Sequence, residues 1–135
     1  MAIRIRTRVD SDARGPLFDD RARRYFDEFA EELGEDGAEW ALDDIKRTFH
    51  THFKDPTGYY ESNVRIRNGS EGPEVWDGGM AGPVYGPWLE GVGSRNSPVT
   101  RFRGYGAFRK AATRLQQRIE AMGYRLFDSN YQSRF

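Results

Sequence analysis

Between residues 18 and 53 the apolar side chains return at helical spacing. Phe26, Phe29, Ala30 and Leu33, then Trp40, Ala41, Ile45, Phe49 and Phe53, recur three and four residues apart with acids between them, the pattern of a helix with one buried stripe. Unbroken, that helix would be about 54 Å long at about 1.5 Å per residue. The whole chain has 135 residues, and a compact domain of that size has a radius of gyration of about 14 Å. Such a helix must protrude or bend. Gly34 and Gly37 each cost roughly 1 kcal/mol against alanine inside a helix, so the sequence predicts a kink or short break at 34–37. Asp19 and Asp20 suit the start, where carboxylates meet unsatisfied amides. Asp55-Pro56-Thr57-Gly58 suits the stop, because proline cannot continue a helix.

Two stretches carry the other periodicity. In residues 2–9, Ile3, Ile5, Thr7 and Val9 alternate with Arg4, Arg6 and Arg8, which predicts a half-buried strand with arginines on its outer face. That row either keeps an edge strand soluble or meets acidic neighbours or phosphates. Val64 and Ile66 alternate with Arg65 and Arg67 ahead of Asn68-Gly69, a hairpin signal. The return strand then runs through Val75 and Trp76, with Gly72-Pro73 imposing a bulge or a longer loop.

Residues 77–99 form a glycine- and proline-rich loop. Beyond it, Tyr105, Phe108, Ala112, Leu115, Ile119, Met122 and Leu126 step alternately by three and four, marking an amphipathic helix. Gly123 is placed to cap it, which leaves residues 124–135 as a short strand or arm. Exposed Phe127, Tyr131 and Phe135 would be costly, so the arm is expected to dock, on its own sheet or on a neighbouring subunit. The expected fold is α+β: one domain, residues 1–135, with a small, mostly antiparallel sheet of the N-terminal strand plus the hairpin, packed by the long and the C-terminal helices.

Charge is balanced overall but segregated. Lys and Arg number 21 and Asp and Glu 21, a formal net of +0, which disfavours a chain devoted to non-specific nucleic-acid binding. Residues 1–9 carry three arginines, residues 10–77 hold 18 acids against 9 bases, and residues 78–135 hold 9 bases against 3 acids. Complementary patches of this kind steer copies of one chain into head-to-tail pairing. No apolar run is long enough to span a bilayer, so no membrane contact is expected. Met1-Ala2-Ile3-Arg4 is no signal core, and synthesis in the cytoplasm is the expectation.

Reactive constellations are not legible. Cysteine is absent, which removes thiolate metal sites and cysteine nucleophiles. His50 and His52 stand two apart and point to different faces of a helix, so they cannot share a metal. The acid pairs Asp19-Asp20, Glu31-Glu32, Glu35-Asp36 and Asp43-Asp44 fit the polar side of a helix. No phosphate-binding lysine or serine-elbow motif is present. The expectation is no catalytic residue, no metal and no cofactor. Thr100 to Lys110 interleaves Arg101, Arg103, Arg109 and Lys110 with aromatics, so a nucleic-acid-binding module using residues 101–110 is the alternative function.

Three pieces in one order carry a resemblance. The long helix runs into Pro56-Thr57-Gly58-Tyr59-Tyr60-Glu61-Ser62-Asn63-Val64-Arg65-Ile66. Then comes Val84-Tyr85-Gly86-Pro87-Trp88-Leu89-Glu90-Gly91-Val92-Gly93-Ser94-Arg95, and then a closing amphipathic helix entered through Thr100 to Phe108. This arrangement resembles the tail-completion or neck proteins (head-to-tail joining, tail terminator-like) of long-tailed double-stranded DNA bacteriophages. Those proteins have a helix end followed by Thr-Gly and a strand, then a Tyr, x, x, aromatic, hydrophobic, Glu, x, Gly segment. Pro87 and Trp88 depart from the commoner residues of that segment, and the arginine-bearing strand precedes the helix where many relatives begin with it.

The resemblance implies a structural virion protein without catalytic activity, an oligomeric ring of six copies at the head-to-tail junction or the top of the tail tube. Its partners would be copies of itself, neighbouring neck and tail-tube proteins, and duplex DNA passing through the lumen without sequence-specific binding. A subunit with the radius of gyration given above is about 36 Å across, and six touching spheres leave a hole of similar width. Tyr85, Trp88, Glu90, Arg95, Arg101, Arg103 and Arg109 are the expected subunit-interface residues, set against the acidic helix of the neighbour.

Overall fold

A computed structural model of the chain describes residues 2–8, 20–52, 62–78, 90 and 104–134. Val9, the turn at 11–16, the helix stop at 55–58 and most of the 77–99 loop lie outside the described residues. Helix α1 spans Asp20–His52, 33 residues, about 50 Å at 1.5 Å per residue. It runs unbroken through 34–37, contrary to the predicted interruption. The two glycines are contact points. A Cβ at Gly34 would lie 3.0 Å from Thr7 Oγ1, and one at Gly37 would lie 3.3 Å from Ile119 Cδ1 and 3.6 Å from Leu115. Burial of the surrounding stripe outweighs a helix-propensity cost of about 1 kcal/mol per glycine.

The sheet has three antiparallel strands in the order β1-β3-β2, with β1 at Ala2–Arg4, β2 at Arg65–Gly69 and β3 at Gly72–Trp76. The ladder of β1 is shorter than the predicted 2–9, yet the alternation persists past it. Ile5 is buried, Thr7 half-buried, and Arg4, Arg6 and Arg8 are exposed. The Ile5 amide donates to the Pro73 carbonyl at 3.1 Å.

The hairpin turns two residues later than Asn68-Gly69 predicts. Gly69 faces Gly72 across a loop of Ser70 and Glu71, Asn68 faces Pro73, and Ile66 faces Val75. A turn at 68–69 would have set Ile66 opposite Glu71 and Val64 opposite Pro73, whereas the observed register pairs two apolar side chains on the core face and Arg67 with Glu74 on the other. The positive φ falls on Gly72, at 131°, where a Cβ would meet the Ile5 carbonyl oxygen at 2.7 Å. Pro73 is tolerated near the start of β3, where its missing N–H breaks least of the ladder.

Helix α2 spans Ala107–Leu126 and continues as a π-helical turn, Phe127–Tyr131, and a 3-10 turn, Gln132–Arg134. Gly123 therefore does not cap it. It lies buried where α2 meets α1, with a Cβ position 3.2 Å from Leu33 Cδ2 and 3.7 Å from Phe29 Cζ. Residues 124–134 are not a strand or a free arm but more helix, and they dock on their own subunit. Phe29 meets Phe127 and Tyr131 edge-on at 5.7 and 5.4 Å between centroids. The Tyr131 hydroxyl donates to Glu32 Oε2 at 2.6 Å, and Arg134 Nη1 to Glu28 Oε2 at 3.0 Å.

The main core gathers Ala38, Ala41, Ile45 and Phe49 of α1 against Ile5, Val64 and Val75 of the sheet layer and Phe108, Ala111 and Leu115 of α2. Ala111 is fully buried and Ala112 only partly, one position off the predicted stripe, because α2 packs against both α1 and the sheet edge. A smaller cluster of Phe29, Leu33 and Tyr131 closes the far end. Asp44 on α1 takes Arg114 Nη2 at 2.7 Å and Nε at 3.1 Å, joining the two helices beside the core.

Candidate functional site

The start of α2 is built by a residue far away in sequence. Gly106 takes the left-handed conformation, φ 61° and ψ 33°, and no adjoining side chain caps the helix. The first turn contains no acid. Glu90 supplies both missing parts: its Oε2 accepts the Phe108 amide at 2.9 Å and its Oε1 the Arg109 amide at 3.0 Å. A carboxylate on two orphan amides at the positive end of a helix combines capping with charge complementarity. Glu90 is only 6% exposed, so its carboxylate faces the inside of the subunit.

Of the seven expected interface residues, Glu90 and Arg109 are brought together in this way, through the backbone of Arg109; the Arg109 side chain is exposed. Tyr85, Trp88, Arg95, Arg101 and Arg103 lie outside the described residues. The aromatics of the basic segment that are described turn inward. Phe108 is 2% exposed and Tyr105 packs edge-on against Phe49 at 6.3 Å, which withdraws them from stacking on bases.

A second constellation, of which the sequence singled out only the arginine row of residues 4–8, lies on the face of the sheet away from the core. Glu74 of β3 sits between Arg4 of β1 and Arg67 of β2, with Arg4 Nε at 3.4 Å and Arg67 Nε at 2.8 Å from its two oxygens. Arg6 pairs with Glu71 at the turn. The Arg67 guanidinium lies over the Trp76 ring at 4.2 Å and that of Arg65 at 5.7 Å. The four arginines are exposed. Both Ile-Arg alternations were visible in the sequence, but only the β1-β3-β2 order puts them on one surface.

The solvent side of α1 carries the opposite charge. Glu31, Glu35, Glu39 and Asp43 follow one another at intervals of four, and all are exposed. Like charges at this spacing repel on a helix surface by about 0.2–0.5 kcal/mol per pair. Asp36 lies beside the row. Burial first, then the charges of Glu32 and Glu39, push its carboxyl above the ordinary aspartate value of 3.8. Tyr131 is raised to about 12 by burial and by its bond to the Glu32 carboxylate.

An apolar groove of about 550 Å³ runs between residues 6–8, α1 and α2, with Phe26, Phe29, Leu33, Ile119, Tyr124 and Phe127 in its walls. Tyr124 is 67% exposed at its side. Among the described residues no group of three or more His, Asp or Glu could hold a metal ion, and no helix is long and apolar enough to cross a membrane. No family model matches the chain, and neither curated proteins nor solved structures give a match to it.

Proposed function

We propose that this chain is a structural virion protein, a subunit of an oligomeric ring of six copies at the head-to-tail junction or the top of the tail of a long-tailed phage, with duplex DNA passing through the lumen. The observation that supports it most is the bond between Glu90 and the start of α2. Glu90 is the acid of the Tyr85 to Gly91 segment, and it caps the helix that closes the chain, which gives those two motifs a physical reason to occur together. Segregated surface charge is in keeping with a ring, since a heterologous interface needs two unlike faces on each subunit. In this reading the work is done by surfaces, and no reactive group is called on.

The experiment is genetic and structural. Disruption of the coding sequence in the phage genome should leave heads and tails that do not join, restored by supplying the chain in trans. A reconstruction of the particle should then show copies of it around the axis at the junction. Joined, infectious particles without the chain would overturn the proposal.

A further inference from the structure

We infer that the sheet face bearing Arg4, Arg6, Arg65 and Arg67 is the docking surface for a second copy of this chain, which seats the acidic row of its α1 on those arginines. This rests on the reading of the chain as a ring subunit, and it names the two surfaces that meet. Arg4, Arg6, Arg65 and Arg67 lie together on a face that no described element covers, and the side chains of Arg4 and Arg6 are 70% and 68% exposed. The row Glu31, Glu35, Glu39 and Asp43 is exposed along α1, with Glu31 and Glu35 bordering a cleft beside the hairpin turn. Glu74 pairs with Arg4 and Arg67, and Glu71 with Arg6, so the face keeps a surplus of positive charge, four arginines against two acids, for the four acids of a neighbour's row, and a face that meets an unlike face propagates head to tail.

The dimensions agree. Arg6 is four residues along from Ala2, which is level with Trp76 and through it with Arg65. With strands about 4.8 Å apart and about 3.3 Å per residue, the arginine diagonal from Arg6 to Arg65 spans roughly 16 Å. From Glu31 to Asp43 the acidic row rises about 18 Å along the helix. Each side presents charges over nearly the same length, the acids on α1 and the arginines on the strands and, for Arg6, on the stretch just past β1 that the Ile5 amide ties to Pro73. Glu74 and Glu71 occupy part of the arginine face, which leaves it too weakly cationic to favour a polyphosphate backbone over discrete carboxylates.

The test uses two charge reversals that leave Arg4 and Arg67 in place around Glu74. One variant carries Arg6→Glu and Arg65→Glu, the other Glu35→Lys and Glu39→Lys, each checked for folding by circular dichroism and melting. In sedimentation at low salt the wild-type chain should self-associate. Each variant alone should associate roughly tenfold more weakly or worse, and the two mixed should recover association, because the reversed faces match again. High salt should weaken all of it, since exposed charges are screened over about 10 Å at 0.1 M.

Wild-type association untouched by either reversal overturns this surface and leaves the ring reading to the particle experiment. A wild-type chain that stays monomeric up to its solubility limit also overturns it. So does binding of labelled single-stranded or duplex DNA that disappears with Arg6→Glu and Arg65→Glu while no self-association is seen. Failure of the ring reading itself would show separately, as heads and tails that join without the chain.

Discussion

Glu90 accepts the backbone amide of Arg109 across nineteen positions of sequence, at 3.0 Å, while its other oxygen takes the amide of Phe108. The loop thereby supplies the cap that α2 does not carry in its own first turn. The contact fixes where α2 begins, and with it the seating of Phe108 and Ala111 in the core.

Replacing Glu90 removes two hydrogen bonds made by a charge in a buried setting. Glu90→Ala should lower the unfolding free energy by about 1–3 kcal/mol, and Glu90→Gln, which keeps one acceptor, by less. Denaturant titration of the three proteins checks the order. Equal stability of wild type and Glu90→Ala would refute the capping role.

Gly37 tests whether the helix glycines are there for space. Alanine normally gains about 1 kcal/mol over glycine in a helix, but here its Cβ meets Ile119 Cδ1 at 3.3 Å. Gly37→Ala should therefore gain little or nothing, and Gly37→Leu, which must push α2 away, should cost about 1–3 kcal/mol. A full alanine gain in melting experiments would mean that the helices have room to spare.

Tyr131 makes stability depend on alkaline pH. Its phenol is raised to about 12 from an ordinary 10.0, so the neutral form is favoured by folding. That contribution is complete below pH 10, declines as the pH rises and is lost beyond about 12. Tyr131→Phe should be less stable than wild type at pH 8 by about 0.5–1.5 kcal/mol, and the difference should shrink as the pH passes through this window. A difference independent of pH would show that Glu32 does not hold the proton in place.

Asp36 works in the opposite sense at neutral pH. Its carboxyl is raised above 3.8 by burial and by Glu32 and Glu39, so folding favours the protonated form, and the ionised form is held at a cost once the pH exceeds the raised value. Asp36→Asn should raise the melting temperature at pH 7. The gain should fade as the pH drops into the carboxylate range, where wild-type Asp36 is itself neutral. Thermal melts at pH 7 and at about pH 3 distinguish this from a general effect of the amide.

The periodic elements were legible because burial alone sets their pattern. Phe29, Leu33, Ala41, Ile45 and Phe49 repeat at helical spacing, and Ile3 and Ile5 alternate with arginines, whichever partners the rest of the chain provides. The α+β class and the approximate extent of both helices follow from that. Glycines were misread because their local cost is written in the sequence, while the close approach of Thr7 to Gly34, Ile119 to Gly37 and Leu33 to Gly123 exists only once the elements pack.

The same limit applies to the hairpin and to the site. Asn68-Gly69 is a strong local turn signal, but pairing Ile66 with Val75 and Arg67 with Glu74 depends on side chains from both strands, and it moved the turn to Ser70 and Glu71. Glu90 reads as one more polar residue of a loop until α2 comes within hydrogen-bonding distance. The two arginine rows are separate local patterns, brought onto one face by strand β3 lying between them. Repetition along the chain therefore determined the long helix, the body of α2 and the strands, whereas the helical continuation over 124–134, register, capping and the shared charged surface required contacts between segments far apart in sequence, whose energies no single segment contains.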